Sequence, residues 1–251
     1  MKIIFTSVFF CALSSVALAQ HDHSRPADDK PKIAATDEHD EHMMGGGHYG
    51  KLLIDKFEVD ADESQQWDAQ AYYGSDTQKL WLKAEGERSD GATEHAEIQA
   101  LYSRAISPFF DVQIGVRHDM QPQPSRDWLA LGVQGLAPYF FETDITLFVG
   151  AEGRSALRLH AEYDVLITQK LILAPELEIN VYGENDAETG IGRGLSDTEF
   201  GLRLRYELLR EFAPYIGVNW THQFGETAAF TRSAGGDSSD MQWVAGIRMW
   251  F

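Results

Sequence analysis

Phe200-Gly201-Leu202-Arg203-Leu204-Arg205-Tyr206-Glu207-Leu208 sets a large apolar side chain against glycine or charge at every step. Successive side chains of a strand point to opposite faces, so only a sheet with two different faces fits this stretch. Downstream the pattern repeats. Ile216, Val218 and Trp220 stand opposite Gly217, Asn219, Thr221 and Gln223, and Trp243, Ala245, Ile247, Met249 and Phe251 opposite Gln242, Gly246 and Arg248. Upstream, Leu171, Leu173, Leu177, Ile179 and Val181 face away from Glu176, Glu178 and Asn180. Leu157, Leu159, Ala161, Tyr163 and Val165 likewise face away from Arg158, His160, Glu162 and Asp164. Thr143, Ile145, Leu147 and Val149 oppose Glu142, Asp144 and Thr146; Val112, Ile114 and Val116 oppose Asp111, Gln113, Gly115 and Arg117; Leu80, Leu82 and Ala84 oppose Lys83, Glu85 and Glu87.

Turn signals such as Gly74-Ser75-Asp76, Ser89-Asp90-Gly91 and Gly235-Gly236-Asp237 punctuate these runs. Eleven strands are expected between Gln66 and Phe251, and Leu52 to Val59 makes a twelfth with weaker alternation. An antiparallel bacterial barrel closes on an even count, so the expected fold is all-β: an antiparallel transmembrane β-barrel of twelve strands, with ten as the fallback. Pro175 sits inside one strand, removes a ladder donor, and should mark a bulge or a local break.

Alternation alone also fits a soluble barrel with its apolar parity inside. Three features favour lipid on the apolar face. The last strand ends in Met249-Trp250-Phe251, similar to the terminal aromatic that outer-membrane assembly machinery reads. Aromatics gather near strand ends, at Tyr72-Tyr73, Phe109-Phe110, Tyr139-Phe140-Phe141 and Tyr215, where interfacial girdles would place them. Strands of about ten residues suit a tilted crossing of the hydrocarbon layer.

The first residues point to export. Lys2, the apolar run Ile3 to Leu18 and the small-residue site Ala17-Leu18-Ala19 read as a signal peptide over 1–19, cleaved before Gln20. The only cysteine, Cys11, lies within it, so the exported chain has no thiolate site, disulfide or cysteine nucleophile. Residues 20–50 carry Pro26, Pro31, many acids and Gly45-Gly46-Gly47 with few apolar side chains; this segment is expected to be flexible, ahead of a barrel over 51–251. Lys and Arg number 21 against 39 Asp and Glu, a net charge of -18, which argues against nucleic acid and suits cations, although solubility alone can account for it.

Five of nine histidines fall in the early segment: His21 and His23, His39 and His42, and His48, with Met43 and Met44 beside His42. Imidazole and thioether without thiolate suit copper, as Cu(I) or Cu(II), while a polar tail that binds metal only incidentally is the plain alternative. On the charged parity of the barrel, Glu142, Asp144, His160, Glu162, Asp164, Glu176 and Glu178 form a candidate cation path along the lumen; the alternative is an interior filled by compensating salt bridges. His118 and His222 end strands on the apolar parity. Neither has a serine two residues away, which disfavours a barrel phospholipase and an enzyme generally.

Several segments in order carry a family resemblance: Trp67-Asp68-Ala69-Gln70-Ala71, Leu80-Trp81-Leu82-Lys83-Ala84-Glu85-Gly86-Glu87, Leu101-Tyr102-Ser103-Arg104-Ala105-Ile106 and Pro124-Ser125-Arg126. They continue with Gly132-Val133-Gln134-Gly135-Leu136-Ala137-Pro138-Tyr139, Leu166-Ile167-Thr168-Gln169, Gly201-Leu202-Arg203-Leu204-Arg205-Tyr206-Glu207 and Arg210-Glu211-Phe212-Ala213-Pro214-Tyr215. From about Lys51 to Phe251 the chain resembles the copper resistance protein B family of outer-membrane proteins. The resemblance implies an outer-membrane site among its lipids, copper binding and a part in copper resistance, often beside a periplasmic multicopper oxidase. It strengthens the copper reading of His39, His42, Met43, Met44 and His48. Family members usually carry longer Met- and His-rich repeats, so the capacity here is expected to be small. A periplasmic N-terminal segment and a monomer, since a closed barrel leaves no edge to cover, complete the expectation; a general channel with an incidental tail is the alternative.

Overall fold

The computed structural model describes residues 47–89 and 91–251. The signal segment and most of the 20–50 segment therefore lie outside the described residues. The alternating stretches form β1 (Tyr49–Asp60), β2 (Gln65–Gly74), β3 (Gln78–Ser89), β4 (Ala92–Ala105), β5 (Phe110–Gln121), β6 (Arg126–Ala137) and β7 (Phe141–Gly150). They continue as β8 (Ser155–Glu162), β9 (Val165–Leu166), β10 (Leu171–Tyr182), β11 (Gly194–Tyr206), β12 (Phe212–Gln223) and β13 (Ser239–Trp250), with one helix, α1 (Gly225–Ser233), between the last two.

Each strand pairs antiparallel with its neighbour, and β1 pairs with β13 to close the ring. Closure of β1 on β13 removes the two long free edges an open sheet would present, as lipid requires. β8 and β9 both lie on β10 in one register, Glu176 opposite Glu162 and Leu173 opposite Val165, so they are two pieces of one stave and the barrel has the expected twelve. The break between them has a local cause. The Tyr163 amide donates to the Pro175 carbonyl at 3.1 Å, but Pro175 has no N–H to return, and the ladder lapses there. Pro175 thus marks a break in its partner strand, while β10 itself runs on.

The weak alternation of the first strand also has a structural reason. Ile54 pairs with Met249 and Phe57 with Ile247, so Asp55 and Lys56 together oppose Arg248 in a β-bulge. The bulge turns both charged side chains inward and switches parity, leaving Leu52 and Phe57 exposed on the same outer face.

The two faces are inverted relative to a water-soluble protein. Leu80, Leu82, Ile114, Val116, Leu129, Leu131, Leu147, Phe200 and Ile216 are exposed on the outside, whereas Glu58, Glu97, Gln99, Gln113, Arg117, Glu176, Arg203 and Arg205 are buried within. At the end where β1 begins and β13 ends, Tyr139 and Phe140 project as the most exposed aromatics among the described residues, 83% and 74% accessible.

Two expected girdle aromatics lie elsewhere. Tyr215 is buried on the lumen side and donates to Glu58 Oε2 at 2.9 Å; Tyr72 lines the lumen and packs on Trp81 with ring centres 4.6 Å apart. Both belong to the charged parity of their strands, and parity outranks proximity to a strand end. Leu208, at the end of the opening stretch, lies past β11 in a turn.

The Gly235-Gly236 signal proves to be a helix terminator. Gly235 takes φ +87°, and the Gly236 amide returns to the Thr231 carbonyl at 2.9 Å, closing the last turn of α1.

Candidate functional site: the charged lumen

Inward-facing glycines make room for inward-facing charge. A Cβ on Gly201 would meet an Arg203 guanidinium nitrogen, and one on Gly246 would meet the Tyr215 hydroxyl, so these positions let long side chains lie flat against the wall.

One side of the lumen is packed shut. Leu101, Trp128, Ala130, Phe148 and Ala156, from β4, β6, β7 and β8, form a buried cluster that Trp81 and Tyr182 extend. Over Phe148 lie the guanidinium groups of Arg117 and Arg158, 4.7 Å and 5.8 Å from the ring centre. Glu97 holds both: Arg117 Nη2 lies 2.6 Å away, Arg158 donates at 3.0 and 3.1 Å, and Gln99 donates at 2.7 Å. Arg117 also donates to Asp119 at 2.5 Å, and the Trp128 indole donates to the same carboxylate at 2.8 Å.

A second network joins the other strands. Glu176 accepts from Lys56 at 2.6 Å and from Arg203 at 2.5 Å, and its Oε1 lies 2.9 Å from His160 Nε2. Arg203 in turn forks onto Glu58 at 2.9 and 3.0 Å. Arg248 lies 2.7 Å from Asp55 and 3.3 Å from Glu162, and Arg205 lies 2.6 Å from Asp164. Lys83 reaches across to Asp144 at 2.7 Å.

Between these networks runs a cavity of about 1400 Å³. At one end it is lined by Lys51, Tyr72 and Glu142; at the other, by residues 187–191 of the β10–β11 connection and by Thr227, Phe230 and Thr231 of α1. Its lining holds fourteen carboxylates against five Lys or Arg. Asp68, Glu87, Glu142 and Glu199 have no Lys, Arg or His at ion-pairing distance among the described residues, so in their ionised form they give the space a negative field. Such a field inside low-dielectric walls concentrates cations and repels anions.

Of the path residues read from the sequence, Glu142, Asp144, His160, Glu162, Glu176 and Glu178 all line this cavity, whereas Asp164 lies outside its lining at the Arg205 pair. Asp144, Glu162, Glu176 and Glu178 each face Lys or Arg. Among the described residues, no group of three or more His, Asp or Glu is arranged to hold a metal ion. His21, His23, His39, His42, Met43 and Met44 lie outside the described residues. His48 precedes β1 and stacks on Tyr73 with ring centres 5.9 Å apart. On the outer face, His118 Nδ1 lies 2.7 Å from Asp127, and His222 packs against Trp220 and Phe224.

The sequence reading had not picked out Lys56, Glu58, Glu97 or Arg117. Lys56 is displaced by the bulge in β1, and its partner Glu176, like the partner of Glu97 at Arg158, stands four staves away in the ring, which no local pattern reveals.

The connection over the far mouth is clasped to the rim. Arg126 donates to both Asp186 oxygens at 2.9 and 3.2 Å and to Glu188 at 2.8 Å, while Thr227 Oγ1 ties Gly192 N at 2.8 Å and Ser196 Oγ at 2.9 Å. Burial alone pushes the Asp186 carboxyl up, but the Arg126 guanidinium, with Arg154 beside it, holds it below the usual carboxylate range. A folded-state value lowered in this way gives stability that is present above the unfolded value and lost as pH falls through the folded one. Amide exchange at Ile191 and Gly192 should therefore keep the same protection factors from neutral pH down to about pH 5 and lose protection only below about pH 4. Loss already near pH 6 would show that another group secures the mouth.

Comparison with known proteins agrees with this architecture. Residues 48–251 match the family described as copper resistance protein B precursor (CopB). The chain is 48% identical over 203 residues to the copper resistance protein B of Escherichia coli, covering 80% of this chain and 69% of that one. It is 41% identical over 230 residues to the copper resistance protein B homolog of Pseudomonas syringae pv. tomato, covering 90% and 78%. Among solved structures, the NanC porin superposes with a TM-score of 0.52 at 11% identity, covering 80% of this chain and 99% of the porin, a likeness of fold. A family match over the whole barrel, two relatives far above chance identity and a closed porin-like ring agree: this chain belongs to the copper resistance protein B family.

Proposed function

We propose that the protein serves copper resistance from the outer membrane, gathering copper with its N-terminal His and Met residues and admitting or holding it in the acidic lumen. The observation that carries this reading is the charge of the cavity: fourteen carboxylates against five cations inside a closed barrel of a copper-resistance family. The two longest connections, 183–193 and 224–238, lie at the end opposite the start of β1 and the end of β13. Long loops of such barrels face outward, which supports a periplasmic start for β1 and a periplasmic His/Met segment ahead of it. A periplasmic multicopper oxidase is the partner this placement suits, and a monomer suffices. Copper is cargo here, and the chemistry asked of the protein is ligation and conduction, with no bond-making step. A passive barrel has no energy source, so direction follows the copper gradient.

The absence of a preformed metal cluster among the described residues favours a second reading, a general cation-preferring channel whose tail is incidental. Titration of Cu(I), Cu(II) and Zn(II) into purified protein, with and without residues 20–50, separates the two. Copper capture predicts that copper binds at least about tenfold more tightly than zinc and that the deletion removes this preference. Binding that survives the deletion moves the site to His160 and the lumen carboxylates. Equal affinity for the metals in both proteins supports the general channel.

A further inference from the structure

Apart from Lys51, which lies over the Trp250 ring at one mouth and has no carboxylate within 4 Å among the described residues, the cations built into the lumen are of two chemical kinds. Arg117, Arg158, Arg203, Arg205 and Arg248 each lie within 4 Å of two or more carboxylates, as with Arg203 between Glu58 and Glu176. Lys56 and Lys83 differ: each meets a single carboxylate, Glu176 at 2.6 Å and Asp144 at 2.7 Å. Each of these two pairs joins staves four places apart, β1 to β10 and β3 to β7, near mid-strand, so each ammonium hangs across the cavity that both lysines line.

A guanidinium fork held by several oxygens is fixed in place, whereas an ammonium is a point charge on a flexible stem with rotatable donors. Displacing either lysine leaves its carboxylate satisfied. Glu176 keeps Arg203 at 2.5 Å and His160 at 2.9 Å, and Asp144 keeps the Thr146 hydroxyl at 2.7 Å. A divalent cation arriving at these oxygens brings twice the charge of the ammonium it meets. The vacated stem has room in the adjoining cavity.

We propose that Lys56 and Lys83 are the movable bars of the lumen, tethered cations that stand where a permeating metal cation must pass and swing aside to let it through, while the arginines form the fixed frame. This rests on the cation-passage reading above. Lys56 and Lys83 then set both the conductance and the selectivity of the barrel. Lys79, paired with Asp111 at 3.1 Å but absent from the cavity lining, has no such role.

The test is single-channel recording of the full chain in planar bilayers, with KCl and then with CuCl₂ added. Lys56→Gln/Lys83→Gln should raise conductance at least about twofold, increase the preference for K⁺ over Cl⁻, and weaken block by Cu²⁺ at low millimolar or lower concentration; Lys79→Gln should match the parent. Lys56→Arg/Lys83→Arg keeps the charge but pins it, and should lower conductance. It also serves as the measurement should the glutamine pair fail to fold, as judged by heat-shifted migration on gels. Parent-like conductance and selectivity in both double variants would overturn the proposal and leave the passage reading standing. No current from any of the chains would overturn both, while copper capture by the tail would still be decided by the titration.

Discussion

Glu97→Ala should lower the unfolding free energy by about 3–5 kcal/mol, the expected cost of leaving a buried charge without its partner. Glu97 is 1% exposed and is shared by Arg117 and Arg158, so its removal strands two guanidinium groups on the packed side of the lumen at once. Arg158 keeps Glu85 at 2.5 Å, and Arg117 keeps Asp119 at 2.5 Å, which limits the loss to partial rather than complete desolvated isolation. Equilibrium unfolding in urea after refolding into vesicles measures it. Glu97→Gln, which keeps the shape and two hydrogen-bonding groups but no charge, should fall between parent and alanine. An alanine variant within about 1 kcal/mol of the parent would mean that lumen water screens these charges as it does a surface pair, and that the network contributes little to stability.

Leu131→Arg should cost about 2–4 kcal/mol in a bilayer, because the side chain lies mid-strand on the lipid face. Leu131 is 52% exposed, and its cross-strand partners Ile114 and Leu147 are exposed as well, so no protein group stands near enough to take the charge. The same substitution in a water-soluble barrel with this face outward would be nearly neutral. The experiment therefore tests which medium covers the outer face, and an effect near zero in vesicles would return the chain to the soluble alternative. Arginine near a strand end, at Leu80 for example, should cost less because its guanidinium can reach the interface.

The fold was largely legible because strand periodicity is a local property. Phe200 to Tyr206 needs no knowledge of distant residues to announce a two-faced strand, and twelve such stretches need only an antiparallel chain to close. Legibility failed where one residue is added to the period or where a terminator stands in for a turn. The Asp55–Lys56 bulge blurred β1 because two consecutive side chains turn the same way, and Gly235-Gly236 read as a turn signal between strands although it closes α1. Girdle placement failed at Tyr215 and Tyr72, since an aromatic near a strand end still obeys the parity of its strand.

Outside the bulge of β1, which residues face inward and carry charge was thus determined by sequence alone, through parity and side-chain chemistry. Tertiary structure alone decided which of them are spent on one another. Arg158 on β8 meets Glu85 on β3, and Lys56 on β1 meets Glu176 on β10, across separations of 73 and 120 residues that no local pattern encodes. Ring closure and strand stagger bring those side chains face to face, and only then does the lumen divide into carboxylates already neutralised and carboxylates left to attract a cation.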